Sequence, residues 1–472
     1  MTEKLPSGWK VEKLEDVVDI LDSKRVPINS KERETRQGPI PYYGATGQVG
    51  WIDDFLFDEE LVLLGEDGAP FFDSAKQKAY VIRGKSWVNN HAHVLRAKNG
   101  IPNSYIKYYL DIVDYHGFVT GTTRHKLNQA AMRQIPIPVA PPEQQKRIVA
   151  EIEKQFSRLD EAVANLKRVK SNLKRYKSAV LKAAVEGRLV ETEAERARRE
   201  GLSYETGAQL LQRILEARRN QWQGKGKYKE PAAPDATDLP DLPVGWVWAS
   251  VDQLVAHLTD GDHQAPPQTD QGIPFLVIGN VRNGEIDFSD TRFVGEAYYN
   301  SLDPNRQPKL GDLLYTLVGS YGIPVRVTTE RPFCIQRHMA ILRPHEHSPM
   351  NYLTLAMTSD NVFKQATEVA TGTAQMTVPL GGLRRIAIPL PPHPEQHRIV
   401  AEVDRRLSLV SEVDRQAEAN LKRAERLSAS ILSSAFRGQL TTEVAITAEV
   451  PQKFAVNERA GAEKHTGARH EY

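Results

Sequence analysis

The sequence predicts an α+β protein: two repeats of a mixed α/β domain, joined by two long antiparallel coiled-coil helices in a pseudo-twofold plan. Three observations predict it: a long-period internal repeat, two uninterrupted runs of coiled-coil spacing, and short strand patterns bounded by turn residues between them.

The repeat sets the domain plan. Leu5-Pro6-Ser7-Gly8-Trp9 recurs as Leu242-Pro243-Val244-Gly245-Trp246, each time followed by alternating apolar residues. Thr120-Gly121-Thr122 matches Thr371-Gly372-Thr373, Ile135 to Pro138 matches Ile386 to Pro389, and Arg147 to Glu151 is identical to Arg398 to Glu402, all 251 residues apart. Gly187-Arg188-Leu189 and Gly438-Gln439-Leu440 keep the same offset. A further match, Ala164 to Arg168 with Ala419 to Arg423, is offset by 255 and allows a coiled-coil stutter. Between these ends the two halves share little. Each reads as short strands, such as Glu60 to Leu64 and Asp312 to Tyr315, with a helix at about Ser104 to Val113 and another at Met350 to Lys364.

Prolines at 136 to 142 and 389 to 394 forbid a helix from extending backwards, and a long helix follows each gate. In the first, Ile152, Phe156, Leu159, Val163, Leu166, Val169, Leu173, Tyr176, Val180 and Ala183 step by threes and fours, a narrow seam that needs a partner helix. The second seam, Val403, Leu407, Val410, Val413, Ala417, Leu421, Ala424, Leu427 and Ile431, is richer in alanine. The first helix also carries Lys167, Arg168, Lys170, Lys174, Arg175, Lys177 and Lys182 with no acid among them. That density suits phosphate contacts or an acidic partner surface, and equally a solvated face. The segmentation is a first domain at 1–142, a helix at 143–190, and an exposed linker with one short amphipathic helix at 191–241. A second domain at 242–394, a helix at 395–440 and a flexible tail at 441–472 complete it.

Composition bounds the function. Among 472 residues, 62 Lys and Arg face 60 Asp and Glu, so a polyanion partner needs a local basic surface rather than a global one. The single cysteine, Cys334, excludes an internal disulfide and a paired-thiolate zinc site, and reads as a small buried hydrophobe. The N-terminus lacks an apolar signal region and no apolar run approaches the roughly 18 residues of a membrane helix, so a cytoplasmic protein without membrane contact is expected. No GxxxxGK[ST] loop, GxGxxG fingerprint, amino-methylating Asn-Pro-Pro-aromatic motif or nuclease carboxylate cluster is found, so no catalytic residue is assigned. His91 and His93 form a close pair without further ligands, and no metal site is assigned either.

Polar clusters that could face nucleic-acid bases are present. Asn and Gln pair bidentately with adenine and Arg with guanine, while hydroxyls and His serve several edges. The first domain offers Tyr43, Asn89, Asn90, His91, Thr122, Thr123, Arg124, His125 and Lys126. The second offers His263, Asn280, Arg282, Ser320, Tyr321, Gln336, Arg337, His338 and Gln375. Turns use the same residue types.

The doubled order of LPxGW, variable domain, TGT, PPxxEQ-like gate (Pro141-Pro142-Glu143-Gln144, and Pro394-Glu395-Gln396), RIVAE and a helix ending A-x-x-G-x-L resembles the specificity subunit of Type I restriction-modification enzymes. The resemblance runs from Leu5 to about Leu440, with the gate of the second copy departing to Pro-Pro-His-Pro-Glu-Gln. It implies two target-recognition domains, each reading half of a bipartite asymmetric site in double-stranded DNA, and helices that set the spacer. It further implies two modification subunits docked on those helices, which gives the basic run 167 to 182 a second role, and restriction subunits beyond them. S-adenosylmethionine, ATP and Mg are then expected on the partners, and this chain does no chemistry alone. The competing class is a structural adaptor whose domains bind protein or RNA.

Overall fold

The computed structural model describes residues 5–440 apart from 224, 225, 283 and 346. The tail expected at 441–472 lies outside the described residues. Two compact units emerge, one of residues up to Asn165 together with those from Ala419 onward, the other Leu166–Glu418.

In the first unit, strand Lys10–Lys13 pairs antiparallel with Pro136–Val139, so the two ends of the variable region meet at its root. Above it, a four-stranded sheet takes the order Val18–Ile20, Ala92–Ala97, Leu61–Gly65, Ala79–Ile82, all antiparallel. Leu61 to Leu64 are fully buried, as a strand covered on both faces requires. A second sheet runs Gly47–Ile52, Ile40–Gly44, Lys85–Val88, Phe57–Asp58, with its middle pair parallel. The core joins Leu14, Val62, Leu95 and Tyr105 to Ile148 and Ile152 from the start of the first long helix and to Leu432, Ala435 and Phe436 from the end of the second. Phe436 meets the rings of Tyr105 and Tyr109 at 5.0 Å each.

The second unit repeats this wiring with different residues. Val247–Ser250 pairs with Ala387–Leu390 at the root. One sheet takes the order His257–Asp260, Met339–Arg343, Leu313–Thr316, Pro324–Arg326, and the other Gln268–Thr269, Arg292–Val294, Ile273–Leu276, Cys334–Ile335, again with one parallel pair. Cys334 is buried in that sheet and burial pushes its thiol up to about 12, in keeping with an inert small hydrophobe. The core of this unit draws Val180, Ala184 and Val185 from the end of the first long helix and Ile399 and Val403 from the start of the second.

The repeated motifs are the joints of both units. Trp9 Nε1 donates to Gln144 Oε1 at 2.9 Å, and Trp246 Nε1 donates to Glu395 Oε1 at 3.0 Å, tying each LPxGW to a helix start. Each motif also covers a helix end: a Cβ on Gly438 would lie 2.5 Å from Pro6 Cγ, and one on Gly187 2.4 Å from Pro243 Cγ. The A-x-x-G-x-L signature is therefore a contact requirement. Glu395 is fully buried, its second oxygen accepts from Glu193 N at 2.8 Å, and burial pushes its carboxyl up; the first copy has neutral Gln144 in this place.

The long helices are Pro142–Val185 and His393–Phe436, 44 residues each and 251 apart at both ends. No extra turn separates them, so the match offset by 255 is no stutter. Within each unit the two run antiparallel. In the second, Lys170 lies by Glu418 and Asp414 while Val180 and Ala184 share a core with Val403 and Ile399. The seam is covered in part only, since Val169, Tyr176, Val413 and Leu427 are each more than a third exposed. Two other expectations change. Met350 to Lys364 divides into Met350–Met357 and Asp360–Val369, because Ser359 caps a new helix by accepting from Val362 N. The linker forms two helices, Glu193–Glu200 and Gly207–Asn220, each opened by a capping box. Leu210 and Ile214 are buried in the second unit's core, so this stretch is packed rather than merely exposed. Among the described residues no helix is long and apolar enough to cross a membrane.

Candidate nucleic-acid interface

Three loops of the first domain are locked together by backbone hydrogen bonds. Glu66 N donates to His91 O at 2.8 Å, Leu127 N to Glu66 O at 2.7 Å, Gly68 N to His125 O at 2.9 Å and Asn89 N to Tyr43 O at 3.0 Å. The sheets thus bring together 66–68, 89–91 and 122–126, segments far apart in sequence. The Thr-Gly-Thr motif shapes the last of them: Gly121 has φ +92°, and a Cβ there would lie 2.4 Å from Arg124 O. Only glycine closes this turn.

On this frame Asp67 Oδ1 accepts from Arg124 Nη2 at 2.9 Å and lies 2.7 Å from His91 Nδ1. The Arg124 side chain is 64% exposed and Asp67 only 19%. Lys126 Nζ stands 3.4 Å from Glu66 Oε1. Beneath them Arg25 donates to Glu66 Oε2 and to Ala92 O, both at 2.7 Å, and His93 bridges Asp22 Oδ2 at 2.7 Å and Leu127 O at 2.9 Å. Burial alone pushes the Asp22 carboxyl up. The His93 hydrogen bond and charge, with the Val94 N–H and Gln129, outweigh it and hold Asp22 below the usual carboxylate range.

The second domain has the same frame. Leu317 N donates to His338 O, Val378 N to Leu317 O, Gly319 N to Met376 O and Gln336 N to Leu276 O, at 2.8, 2.8, 2.9 and 3.0 Å. Gly372, φ +116°, would place a Cβ 2.5 Å from Gln375 O. Asn89, Asn90 and His91 therefore correspond to Gln336, Arg337 and His338, and Arg124 corresponds to Gln375. Val318 stands where the first domain has Asp67, bridged to Thr377 as Asp67 is to Lys126. Charge lies further round this surface. His263 Nε2 is 2.7 Å from Asp260 Oδ2, and Arg306 Nη1 donates to Gly261 O at 2.7 Å. Burial and neighbouring Arg337 push the His338 ring below its ordinary value. Ser320 is exposed beside Tyr321, whose ring stacks on Phe363 at 5.5 Å and whose hydroxyl donates to Thr367 Oγ1.

Several predicted readers are turned inward. Asn89 is buried and accepts from His91 N, a turn pin. Asn280 is buried, accepts from Val277 N and donates to Asp287 O and Asp290 O, so both ends of its amide hold its own loop. Arg282 stays exposed while its Nε donates to Gly279 O, and His125 Nδ1 lies 2.9 Å from Gly121 O of its own turn. Tyr43 is half-buried against Tyr80. Asn90, Thr122, Thr123, Arg124, Lys126, Arg337 and Gln375 stay exposed. On the long helix Lys167, Arg168, Lys174, Arg175, Lys177 and Lys182 are exposed, whereas Lys170 is half-buried and donates to Glu418 at 2.7 Å, which gives it to the helix pair.

Sequence reasoning missed Arg25, Glu66 and Asp67 in the first domain and Asp260, Asp262 and Arg306 in the second. One signal was present, since Gly68 and Gly319 keep the 251 offset within otherwise unlike loops. Asp22, Glu66 and His93 hold ligand-type atoms within 4.8 Å of one another, but the Arg25 guanidinium, 2.7 Å from Glu66 and 3.5 Å from Asp22, supplies the positive charge there. His91 and His93 bind different carboxylates and do not converge.

Residues 6–175 match the family described as Type I restriction modification DNA specificity domain. A type I restriction enzyme specificity subunit of Haemophilus influenzae is 38% identical over 152 residues, 31% of this chain, and the chain spans only 38% of that relative's length. The EcoDI specificity subunit of Escherichia coli is 22% identical over 449 residues, covering 93% of this chain and 90% of the relative. Two solved structures share the fold across 93% of the chain. The HsdS subunit from Thermoanaerobacter tengcongensis is 17% identical with TM-score 0.53 over 99% of its length, and a chain of a type I R-M system is 18% identical with TM-score 0.58 over 100% of its length.

Proposed function

We propose, from the premise that residues 6–175 belong to the Type I restriction modification DNA specificity domain family, that this chain is the DNA sequence-specificity subunit of a Type I restriction-modification complex. Each three-loop surface reads one half of a bipartite asymmetric site in double-stranded DNA. The long helices set the spacer and dock two modification subunits, through which restriction subunits join. S-adenosylmethionine, ATP and Mg act on those partners in the cytoplasm, and this chain supplies address and geometry without bond chemistry.

The observation that carries the reading is one hydrogen-bonded loop frame built twice with different exposed side chains. A scaffold held constant under variable tips is what reading two unlike half-sites requires, because base edges differ only in their donor and acceptor pattern. The exposed cations of the first long helix support phosphate contact or docking of an acidic partner face.

Modified-base mapping of genomic DNA tests it, comparing cells that express this chain with its modification subunit against cells that express that subunit alone. Methyladenine at a split asymmetric motif, present only with this chain, is the expected result. Co-purification of the two proteins without motif-specific methylation would overturn base recognition in favour of an adaptor.

A further inference from the structure

The two reading surfaces can be superposed residue by residue through their shared backbone hydrogen bonds, and the comparison singles out one position. Arg124 and Gln375 each sit three residues beyond the left-handed glycine of the turn, and each carbonyl is the one that glycine approaches. Each side chain crosses a glycine on the facing loop: a Cβ on Gly68 would lie 3.6 Å from Arg124 Nε, and one on Gly319 3.2 Å from Gln375 Nε2. Gly68 and Gly319 are themselves equivalent, since each donates its N–H to the residue after the reader, His125 or Met376. Both readers are exposed.

Their neighbours differ in a way that fits their chemistry. Arg124 is held by Asp67 through one carboxylate oxygen that His91 shares, so the guanidinium is fixed in direction while most of its surface stays open. The second domain has Val318 at the place of Asp67, and a valine side chain offers Gln375 neither charge nor hydrogen bond. An arginine fork matches the two acceptors of guanine, O6 and N7. A glutamine amide matches the donor and acceptor of adenine, N6 and N7.

We propose, resting on the DNA-reading function above, that Arg124 and Gln375 are equivalent base readers of the two half-sites, the first domain taking a G·C pair and the second an A·T pair at the matching position. Asp67 is the positioning residue of the first reader. The chain thus reads its two half-sites with one geometry and two side-chain chemistries.

The test is selection from a randomised duplex library by the complex of the full chain with its modification subunits, for the wild type and for Arg124→Gln, Gln375→Arg and Asp67→Asn. Wild type is expected to select a bipartite motif. Arg124→Gln should change one column of one half from G to A, with a shift in preference of roughly tenfold or more, and leave the other half untouched. Gln375→Arg should do the converse in the other half. Asp67→Asn should weaken the preference for G in the Arg124 column without changing the letter, and should have no effect once Arg124 is already Gln. If both reader variants keep every wild-type column, or lose affinity for all sequences alike, these side chains contact phosphate or nothing and the inference falls while the function stands. If the wild-type complex selects no bipartite motif, the functional reading itself falls. Both readers are exposed, and co-elution with the modification subunits checks that each variant still assembles.

Discussion

The two domains solve the same backbone problem with different side chains beneath the loops. In the first, the reading loops rest on a buried and half-buried network of Asp22, Arg25, Glu66, Asp67, His91 and His93. In the second the places of Glu66, Asp67 and His93 are taken by the apolar Leu317, Val318 and Ala340, while buried Asp260, paired with Ala340 in the strand register, keeps its charge beside His263 and Arg306. The difference teaches that the frame is carried by main-chain hydrogen bonds and the two left-handed turn glycines. What lies under and over that frame is free to diverge.

The comparison breaks most visibly where the two domains should agree. Ile137 and Ile388 occupy matching places in the root strands, and both are fully buried. Truncating either to alanine should cost about 2–5 kcal/mol in its own unit, the range for deleting a buried branched side chain. Hydrogen–deuterium exchange with peptide resolution checks it: each variant should speed exchange in its own unit's strands. A large difference between the two costs would show that the roots are not equivalent.

A somewhat smaller effect should appear in one domain only. His93 is 1% exposed and touches both the Asp22 carboxylate and Leu127 O. His93→Leu should destabilise the first unit by about 1.5–3 kcal/mol, the usual worth of hydrogen bonds to a buried charge. Ala340→Val, at the matching place, removes no polar contact. Its cost should come from crowding alone, and equal polar signatures in both variants would contradict the contrast between the two floors.

How much of this was legible follows from what each feature depends on. The repeat, the proline gates and the two helices are local patterns, so they could be read directly, and the fold class and family resemblance stand on them. The turn glycines were legible as Thr-Gly-Thr, and Arg124, Gln375 and the pair His91 and His338 were picked for their chemistry. Their equivalence was not legible. The offset is 237 at the first root strand, 247 at the two histidines and 251 at the turn, so unequal loops hide a common register. Asp67 was missed because its partners lie 24 and 57 residues away and meet it only through strand pairing. Asn89 and Asn280 were over-read because an amide that pins a turn looks like one that faces a ligand until its partners are known. The linker was read as exposed because its charged run hides Ala194 and Ala197, the small residues that pack.

The smallest effect is a dependence on pH, to which one buried carboxyl in each unit contributes with opposite sign. Asp22 has a folded-state value below its unfolded one, so its contribution is present above the ordinary carboxylate range and is lost as pH falls through the lowered value. Glu395 runs the other way. Burial raises it, and although Glu193 N, the Trp246 indole and Arg398 pull it back, the raised value means that its contribution is complete below the unfolded value and is lost as pH rises through the folded one. Between the ordinary glutamate value of 4.5 and the raised one, acidification should therefore increase the Glu395 contribution to the second unit, against the opposing contribution of His257, His338, His345 and His393, whose lowered values favour the neutral ring in the fold; below the ordinary aspartate value of 3.8 the Asp22 contribution to the first unit should fall. Glu395→Gln, which installs the residue that the first copy carries at Gln144, should remove the Glu395 part of the second unit's pH dependence, so that the wild type gains stability relative to the variant on acidification in the upper window, and should leave the first unit's acid loss in place. Unit-resolved exchange as a function of pH measures both. A difference between wild type and Glu395→Gln that does not change with pH would move the titration to another group, and the contrast between the buried acid of one joint and the half-buried amide of the other would lose its energetic meaning.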